Sequence, residues 1–107
     1  KMQKNELDNF FFFFKLFQLF VEQVKKDFEM AGIAFNLTLI PNFDDIVNKL
    51  KDLLVKNKFE ALLYRVDISE DQIKNYCLTK DIDIHTAISE LIIKRELQKI
   101  VFKINYK

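Results

Sequence analysis

The scarcity of glycine and proline constrains the fold of this chain most strongly. Its 107 residues contain one glycine, Gly32, and one proline, Pro41. Sheets made of many short strands need such residues at their turns, so an all-β fold is disfavoured. The residues that are abundant instead, among them Lys, Glu, Leu and Ile, favour helices. We therefore predict an all-α fold, a small bundle of four or five helices with an extended linker at about 33–41.

Composition predicts a single folded domain. Half of the residues are hydrophobic and 31% are charged, which is typical of a packed globular protein. We expect one domain over residues 1–107, with residues 1–9 disordered. The net charge of +1 indicates no global field that would attract nucleic acid or a membrane surface. Cys77 is the only cysteine, so an internal disulfide is excluded and a reducing compartment is expected.

The stretch "FFFFFKLFQLF" at residues 10–20 contains seven phenylalanines. The apolar run from Phe10 to Val21 would measure about 18 Å as a helix, too short for a hydrocarbon core about 30 Å thick. We therefore predict no membrane span. Asn9 is a plausible N-cap and Gly32 a plausible left-handed end, which predicts a helix over about 10–31. Its apolar seam has helical spacing: Phe10, Phe14, Phe17, Val21, Val24, Phe28 and Ala31.

Four large apolar residues of the same segment are predicted to point away from this seam. They are Phe11, Phe12, Leu16 and Leu19. Such a patch is normally hidden in a monomer. One interpretation is that a later helix of the chain covers it. The functional interpretation is a surface for a protein partner or for a second copy of the chain, and these four residues are our candidate interface.

The rest of the chain divides into further helical segments. Ile33, Phe35, Leu37 and Leu39 alternate with smaller or polar residues, and we interpret 33–41 as an extended linker whose odd positions pack on the helices. Asn42 is predicted to cap a helix whose apolar face runs from Phe43 to Leu54. After a weak break near Asn57, residues 59–66 continue with helical spacing. We predict that this segment and the preceding helix form a hairpin or a kinked pair. Ser69 and Gln72 form a capping box for a helix over 70–78. The last helix is predicted over about 84–102, with Ile84 and Val101 on or near its apolar face.

Little in the sequence indicates catalysis. With Gly32 as the only glycine, a glycine-rich phosphate loop is excluded. One histidine and one cysteine cannot form a structural zinc site. Asp81, Asp83 and His85 alternate in "DIDIH" and could hold a divalent ion weakly. More often, an aspartate at such a turn caps the next helix. Cys77 and His85 would be the candidates for a catalytic thiol–imidazole pair, but no third group that orients the imidazole is evident. We expect no enzymatic activity, no cofactor and no metal.

Helix-turn-helix binding of nucleic acid is the alternative function. Residues 70–78 and 84–95, joined by five residues, have roughly the proportions of that motif. The residues that would face the groove and the phosphates are His85, Thr86, Ser89, Lys94 and Arg95. Lys74 stands where a small residue normally lets the two helices touch, and the net charge is far below that of a typical nucleic-acid-binding domain.

Two stretches, "FEALLYRVDISEDQIKNY" and "AISELIIKRELQKIVFKINYK", resemble those of short uncharacterised proteins of Bacteroidetes-type bacteria. The resemblance covers residues from about 43 to the C-terminus and leaves out the Phe-rich start. It implies a cytoplasmic bacterial protein and implies no activity. The function that the sequence favours is a non-enzymatic domain for protein–protein interaction or self-association, with the Phe-rich helix as the docking element.

Overall fold

The computed structural model describes residues 4–36 and 43–105, and the side chains within 15–36 and 44–104. These residues contain five helices and no strand, which confirms the predicted all-α bundle. The helices are α1 (Lys4–Met30), α2 (Phe43–Lys56), α3 (Glu60–Val66), α4 (Glu70–Lys80) and α5 (Ile84–Asn105).

Helix α5 is the central element, because α1, α2, α3 and α4 all pack against it. Its inward face is almost fully buried, and the most buried apolar residues are Ala87, Ile88, Ile92, Ile93 and Ile100. Ile84 and Val101, which the sequence places on or near the apolar face, are about half exposed (52% and 53%). Ile84 is the first residue of α5, and Val101 lies in its last two turns.

Helix α1 begins at Lys4 and not near residue 10. Asn9 therefore lies inside the helix and does not cap it, and residues 4–9 form its first turns where the sequence predicts disorder. The predicted end is confirmed. Gly32 has φ +82°, and the Ile33 amide donates to the Phe28 carbonyl (2.9 Å) while the Gly32 amide donates to the Glu29 carbonyl (3.0 Å). This pair of bonds is a Schellman motif.

Gly32 provides a direct test of that helix end. A Cβ at this position would meet no other atom within 4 Å, so any cost of Gly32→Ala comes from the left-handed backbone alone. We expect a loss of about 1 kcal/mol in the free energy of unfolding, measured by urea denaturation. Gly32→Asn should cost less, because asparagine tolerates this conformation. Equal stability of the alanine variant and the parent would contradict the assignment.

The buried face of α1 is rotated from the predicted seam. Phe20, Val24 and Phe28 are the most deeply buried apolar residues of α1, at 4%, 1% and 0% exposure. Phe17 and Val21, which belong to the predicted apolar seam, are only partly buried. The rotation brings two polar side chains, Gln23 and Asp27, into the interior as well.

The linker packs as predicted as far as the structure describes it. Ile33 and Phe35 are both 2% exposed, Ala34 and Asn36 between and after them are exposed, and the Phe28 and Phe35 rings lie 5.3 Å apart. The other predicted linker residues, from Leu37 to Pro41, and the predicted cap at Asn42 lie outside the described residues.

The predicted break near Asn57 is confirmed, since α2 ends at Lys56 and α3 begins at Glu60. The Asn57 side chain donates to the Leu53 carbonyl (2.9 Å) and so closes the last turn of α2. However, the two helices do not form a hairpin. Among the described residues α3 packs against α1 and α5, and α2 packs against α5.

The capping box of α4 is confirmed in both directions. The Gln72 amide donates to Ser69 Oγ (3.1 Å) and the Ser69 amide donates to Gln72 Oε1 (2.8 Å). The helix continues two residues beyond the predicted end, to Lys80, and stops at Asp81 with φ 54°. Asp83 caps α5 by accepting from the Thr86 amide (3.2 Å), which is the role that the sequence analysis favours for an aspartate at this turn.

Candidate functional site

The Phe-rich part of α1 extends beyond the end of α5. Lys103 Nζ donates to Gln23 Oε1 (2.8 Å), and Lys99 Nζ donates to Asp27 Oδ2 (2.9 Å). Residue numbers rise along α1 as they fall along α5, so the helices are antiparallel and Asn105, where α5 ends, lies near the level of Val21. The backbone of residues 4–20 therefore continues for about 25 Å past α5. The Cα radius of gyration, 15.1 Å, exceeds the roughly 13 Å of a compact chain of this length.

The predicted interface residues have different outcomes. Leu19 is 36% exposed and lines a groove of about 240 Å³ between α1 and α5, next to Ile100 and Ile104. Leu16 is partly buried and packs against the core, so its predicted outward position is wrong. It lies one turn from Phe20, and the rotation of α1 carries both inward. The side chains of Phe11 and Phe12 lie outside the described residues.

A second apolar groove lies between α3, α4 and α5. Its volume is about 530 Å³, and Glu60, Glu70 and Lys74 provide its polar residues. Leu78 (76%) and Ile84 (52%) are strongly exposed at this groove. The apolar lining consists of Phe59, Leu63, Ile73, Cys77, Leu78, Ile84 and Ile88.

A buried polar cluster joins α1, α3 and α5, with Asp27 at its centre. Asp27 is 1% exposed, and both of its carboxylate oxygens are bonded. Arg65 Nε donates to Oδ1 (2.7 Å), while Lys99 Nζ and Gln23 Nε2 donate to Oδ2 (2.9 and 3.0 Å). The cluster therefore provides the buried charge with the partners that it needs.

Glu96 lies in the same cluster and is fully buried. Lys99 Nζ is 3.2 Å from its Oε1, but the angles make no hydrogen bond and neither carboxyl oxygen has a partner as an acceptor. Burial first, and then the hydrogen bond and the charge of Asp27, raise the pKa of Glu96 to about 8. Burial also acts to raise the pKa of Asp27, yet hydrogen bonds from Glu96, Gln23 and Lys99 outweigh it and lower that pKa to about 2. At neutral pH, Glu96 thus keeps its proton, and its hydroxyl donates a hydrogen bond to the Asp27 carboxylate.

Arg95 links α5 to the end of α3. Its Nε donates to the Val66 carbonyl (3.3 Å) and its Nη2 lies 3.3 Å from Asp67 Oδ2. Asp67 is the left-handed residue that ends α3, with φ 67°. Arg95 also lines an open groove of about 480 Å³ between α1 and α5. On this side of α5 its neighbours along the helix are Lys99 and Lys103.

The residues predicted to contact nucleic acid do not share an open surface. Ser89 is fully buried and its Oγ donates to the His85 carbonyl (2.8 Å), so its predicted contact with a DNA groove is wrong. The sequence predicts a recognition helix here because the spacing between α4 and α5 fits a helix-turn-helix. In the fold, however, α5 is the centre of the bundle. His85 and Thr86 are half-buried, and Lys94 is exposed.

The described residues contain no group of three His, Cys, Asp or Glu side chains that could hold a metal ion. The His85 ring instead lies edge-on against Phe59, with centroids 6.2 Å apart, and Cys77 is half-buried in the apolar groove. The same part of the chain contains no helix that is both long and apolar enough to cross a membrane.

Sequence reasoning missed the buried cluster. The sequence singles out none of Gln23, Asp27 and Glu96, because apolar periodicity carries no information on polar side chains that find partners inside. The spacing Gln23–Asp27 and Glu96–Lys99 is a local signal of paired residues, but it is equally common on exposed helices.

Protein-family models, curated proteins and solved structures offer no match to this chain.

Proposed function

We propose that this chain is a non-enzymatic helical domain that self-associates through the N-terminal part of α1, with a second copy of the chain as its partner. The observation that carries the proposal is the extension of residues 4–20 past the end of α5, which follows from the pairing of Gln23 with Lys103 and of Asp27 with Lys99. That extension contains all seven phenylalanines of residues 10–20. Phe20 packs in the core and Phe17 packs against it, but an extension with this many phenylalanines and no α5 beside it would be costly in water.

The apolar character continues into residues whose side chains are described. Leu19 and Ile104 are 36% and 37% exposed and line the same small groove. Val101 is 53% exposed on the adjoining turn of α5. The end of α5 and the beginning of the α1 extension thus both present exposed apolar side chains.

The charges of the segment favour a second copy as the occupant. Lys15 is the only charged residue between Phe10 and Val21, and Glu6 and Asp8 precede the run. In an antiparallel pair of α1 helices centred near Phe11, Lys15 of each copy lies at the level of Glu6 and Asp8 of the other. Such a pairing is isologous, so it closes into a dimer with two-fold symmetry.

The polar cluster supports the non-enzymatic part of the proposal. Both oxygens of Asp27 are occupied by bonds within the protein, and Glu96 is fully buried. These carboxyl groups therefore hold helices together and do not meet a substrate.

Sedimentation of the parent and three variants tests the proposal. The parent should sediment as a dimer. Phe12→Asp should remain helical by circular dichroism but sediment as a monomer, because a charge in the interface has no partner there. Tyr64→Asp is the matched control, since this aromatic residue of α3 is 91% exposed and lies on another surface. It should remain dimeric.

Phe20→Asp gives the reference for a core lesion, because Phe20 is 4% exposed, and it should unfold the chain. If Phe12→Asp unfolds equally, the Phe-rich segment is internal core and the docking proposal is wrong. A parent that stays monomeric at all concentrations, or a Phe12→Asp variant that assembles like the parent, would refute it as well.

A further inference from the structure

The open groove between α1 and α5 on the α3 side has a strongly basic lining. We call it the basic groove. It measures about 480 Å³, within the range of pockets for small ligands, and no acidic side chain is among its described lining residues. These are Gln23, Arg95, Gln98, Lys99, Phe102 and Lys103.

The three cations of the basic groove are held in place by internal bonds. Arg95 is fixed by the Val66 carbonyl and by Asp67. Lys99 is fixed by Asp27, and its side chain is only 25% exposed. Lys103 donates to the amide oxygen of Gln23 (2.8 Å). Their positive groups are therefore pre-organised, which reduces the entropy that a ligand must offset on binding.

The positive charge of the groove exceeds that of its described partners. Of the three cations of the groove, Arg95 is bonded to the Asp67 carboxylate and Lys99 to the Asp27 carboxylate, whereas Lys103 is bonded to the neutral Gln23 amide. The groove thus has three positive charges against two bonded carboxylates, a surplus of one. Lys103 uses one of its three N–H donors on a neutral group, which leaves donors for an anion.

We propose that the basic groove binds a phosphorylated small molecule. Its phosphate would lie between Lys99 and Lys103 and its apolar part against Phe102. A phosphate ester carries a charge of about −1.5 to −2 at pH 7, opposite in sign to the surplus charge of the groove, and lysine ammonium groups are common phosphate ligands. The proposal does not depend on self-association, because the groove lies on residues 95–103 and not on the α1 extension.

Titrations with inorganic phosphate and with phenyl phosphate, at constant ionic strength in chloride, test the site. Amide resonances of residues 95–103 should shift to saturation with both ligands. Lys103→Gln should weaken both about tenfold, the usual effect of one lost charge-assisted bond. Lys103→Arg should retain binding, and Phe102→Ala should weaken phenyl phosphate alone. The control is Lys94→Gln, because Lys94 is an exposed residue of α5 outside the groove lining, and it should bind as the parent does.

Absence of saturable shifts, or equal losses in Lys103→Gln and Lys94→Gln, would overturn the proposal in favour of unspecific charge attraction. A single-stranded oligonucleotide that displaces phenyl phosphate, and binds more tightly with a steep salt dependence, would assign the groove to nucleic acid and also refute the small ligand. Circular dichroism of each variant confirms that its fold is intact. Sedimentation should show no change with phosphate, which keeps this result separate from the self-association test.

Discussion

Asp27→Ala should lower the free energy of unfolding by about 3–5 kcal/mol, the usual cost of removing one partner of a buried ion pair. The substitution leaves Arg65 and Lys99, which are 32% and 25% exposed, without their carboxylate. It also removes the carboxylate that accepts hydrogen bonds from the Glu96 hydroxyl and from the Gln23 amide. Because total domain stability is about 5–15 kcal/mol, the variant should be marginally folded. Urea denaturation followed by circular dichroism at pH 7 measures the loss.

Asp52→Ala is the matched control for this prediction. Asp52 pairs with Lys56 at 3.1 Å, but the two side chains are 54% and 66% exposed. An exposed pair one helical turn apart contributes at most about 0.5 kcal/mol. If Asp27→Ala costs no more than Asp52→Ala, the buried cluster does not stabilise the junction of α1, α3 and α5.

Features that depend on neighbouring residues were predictable from the sequence. Helical spacing, the Ser69–Gln72 capping box and the glycine end at Gly32 are interactions over three to five residues. The inward positions of Ile33 and Phe35 follow from strict alternation. Each of these features is formed by a segment on its own, so its sequence pattern is sufficient.

Features that depend on distant partners were not predictable. Asp27 is buried because Arg65 and Lys99 reach it from positions 38 and 72 residues further along the chain. No local pattern indicates that pairing. The same bonds set the rotation of α1, and this rotation places Leu16 inward and Gln23 in the interior. The prediction that α2 and α3 form a hairpin is wrong for a similar reason, since α3 packs against α1 and α5.

The candidate interface lies between these two cases. A Phe-rich run indicates a need for burial, and its length excludes a membrane span, but neither property indicates whether the same chain covers it. The end of α5 near the level of Val21 depends on the register between two helices some 80 residues apart. Only this register shows that the backbone of the run extends past α5, and no pattern within the run itself indicates it.

Stability should fall as the pH rises from about 4.5 to about 8, because of Glu96. In the unfolded chain its carboxyl releases a proton near its ordinary pKa of 4.5, whereas in the fold the pKa is raised to about 8. Between these values the folded state binds more protons, so the free energy of unfolding decreases by up to about 1.4 kcal/mol per pH unit. Asp27 acts in the opposite sense, since its pKa is lowered from 3.8 to about 2. Its contribution is gained as the pH rises through that lower interval, and the pair is most favourable near pH 4.

Glu96→Gln isolates this effect. The amide of glutamine can donate to Asp27 as the protonated acid does, while Arg65 and Lys99 retain their bonds to Asp27, and the amide has no proton to lose. The variant should match the parent near pH 4, lack the decline between pH 4.5 and 8, and be the more stable protein above pH 8. Glu90→Gln is the control, because Glu90 bonds to Tyr76 (2.8 Å) at a half-buried position of the same helix, and it should keep the decline. Urea denaturation across this pH range gives the comparison. A parent of constant stability between pH 5 and 8 would show that Glu96 is ionised in the fold and that the cluster holds two charged carboxylates. A decline that persists in Glu96→Gln would show that another group causes it.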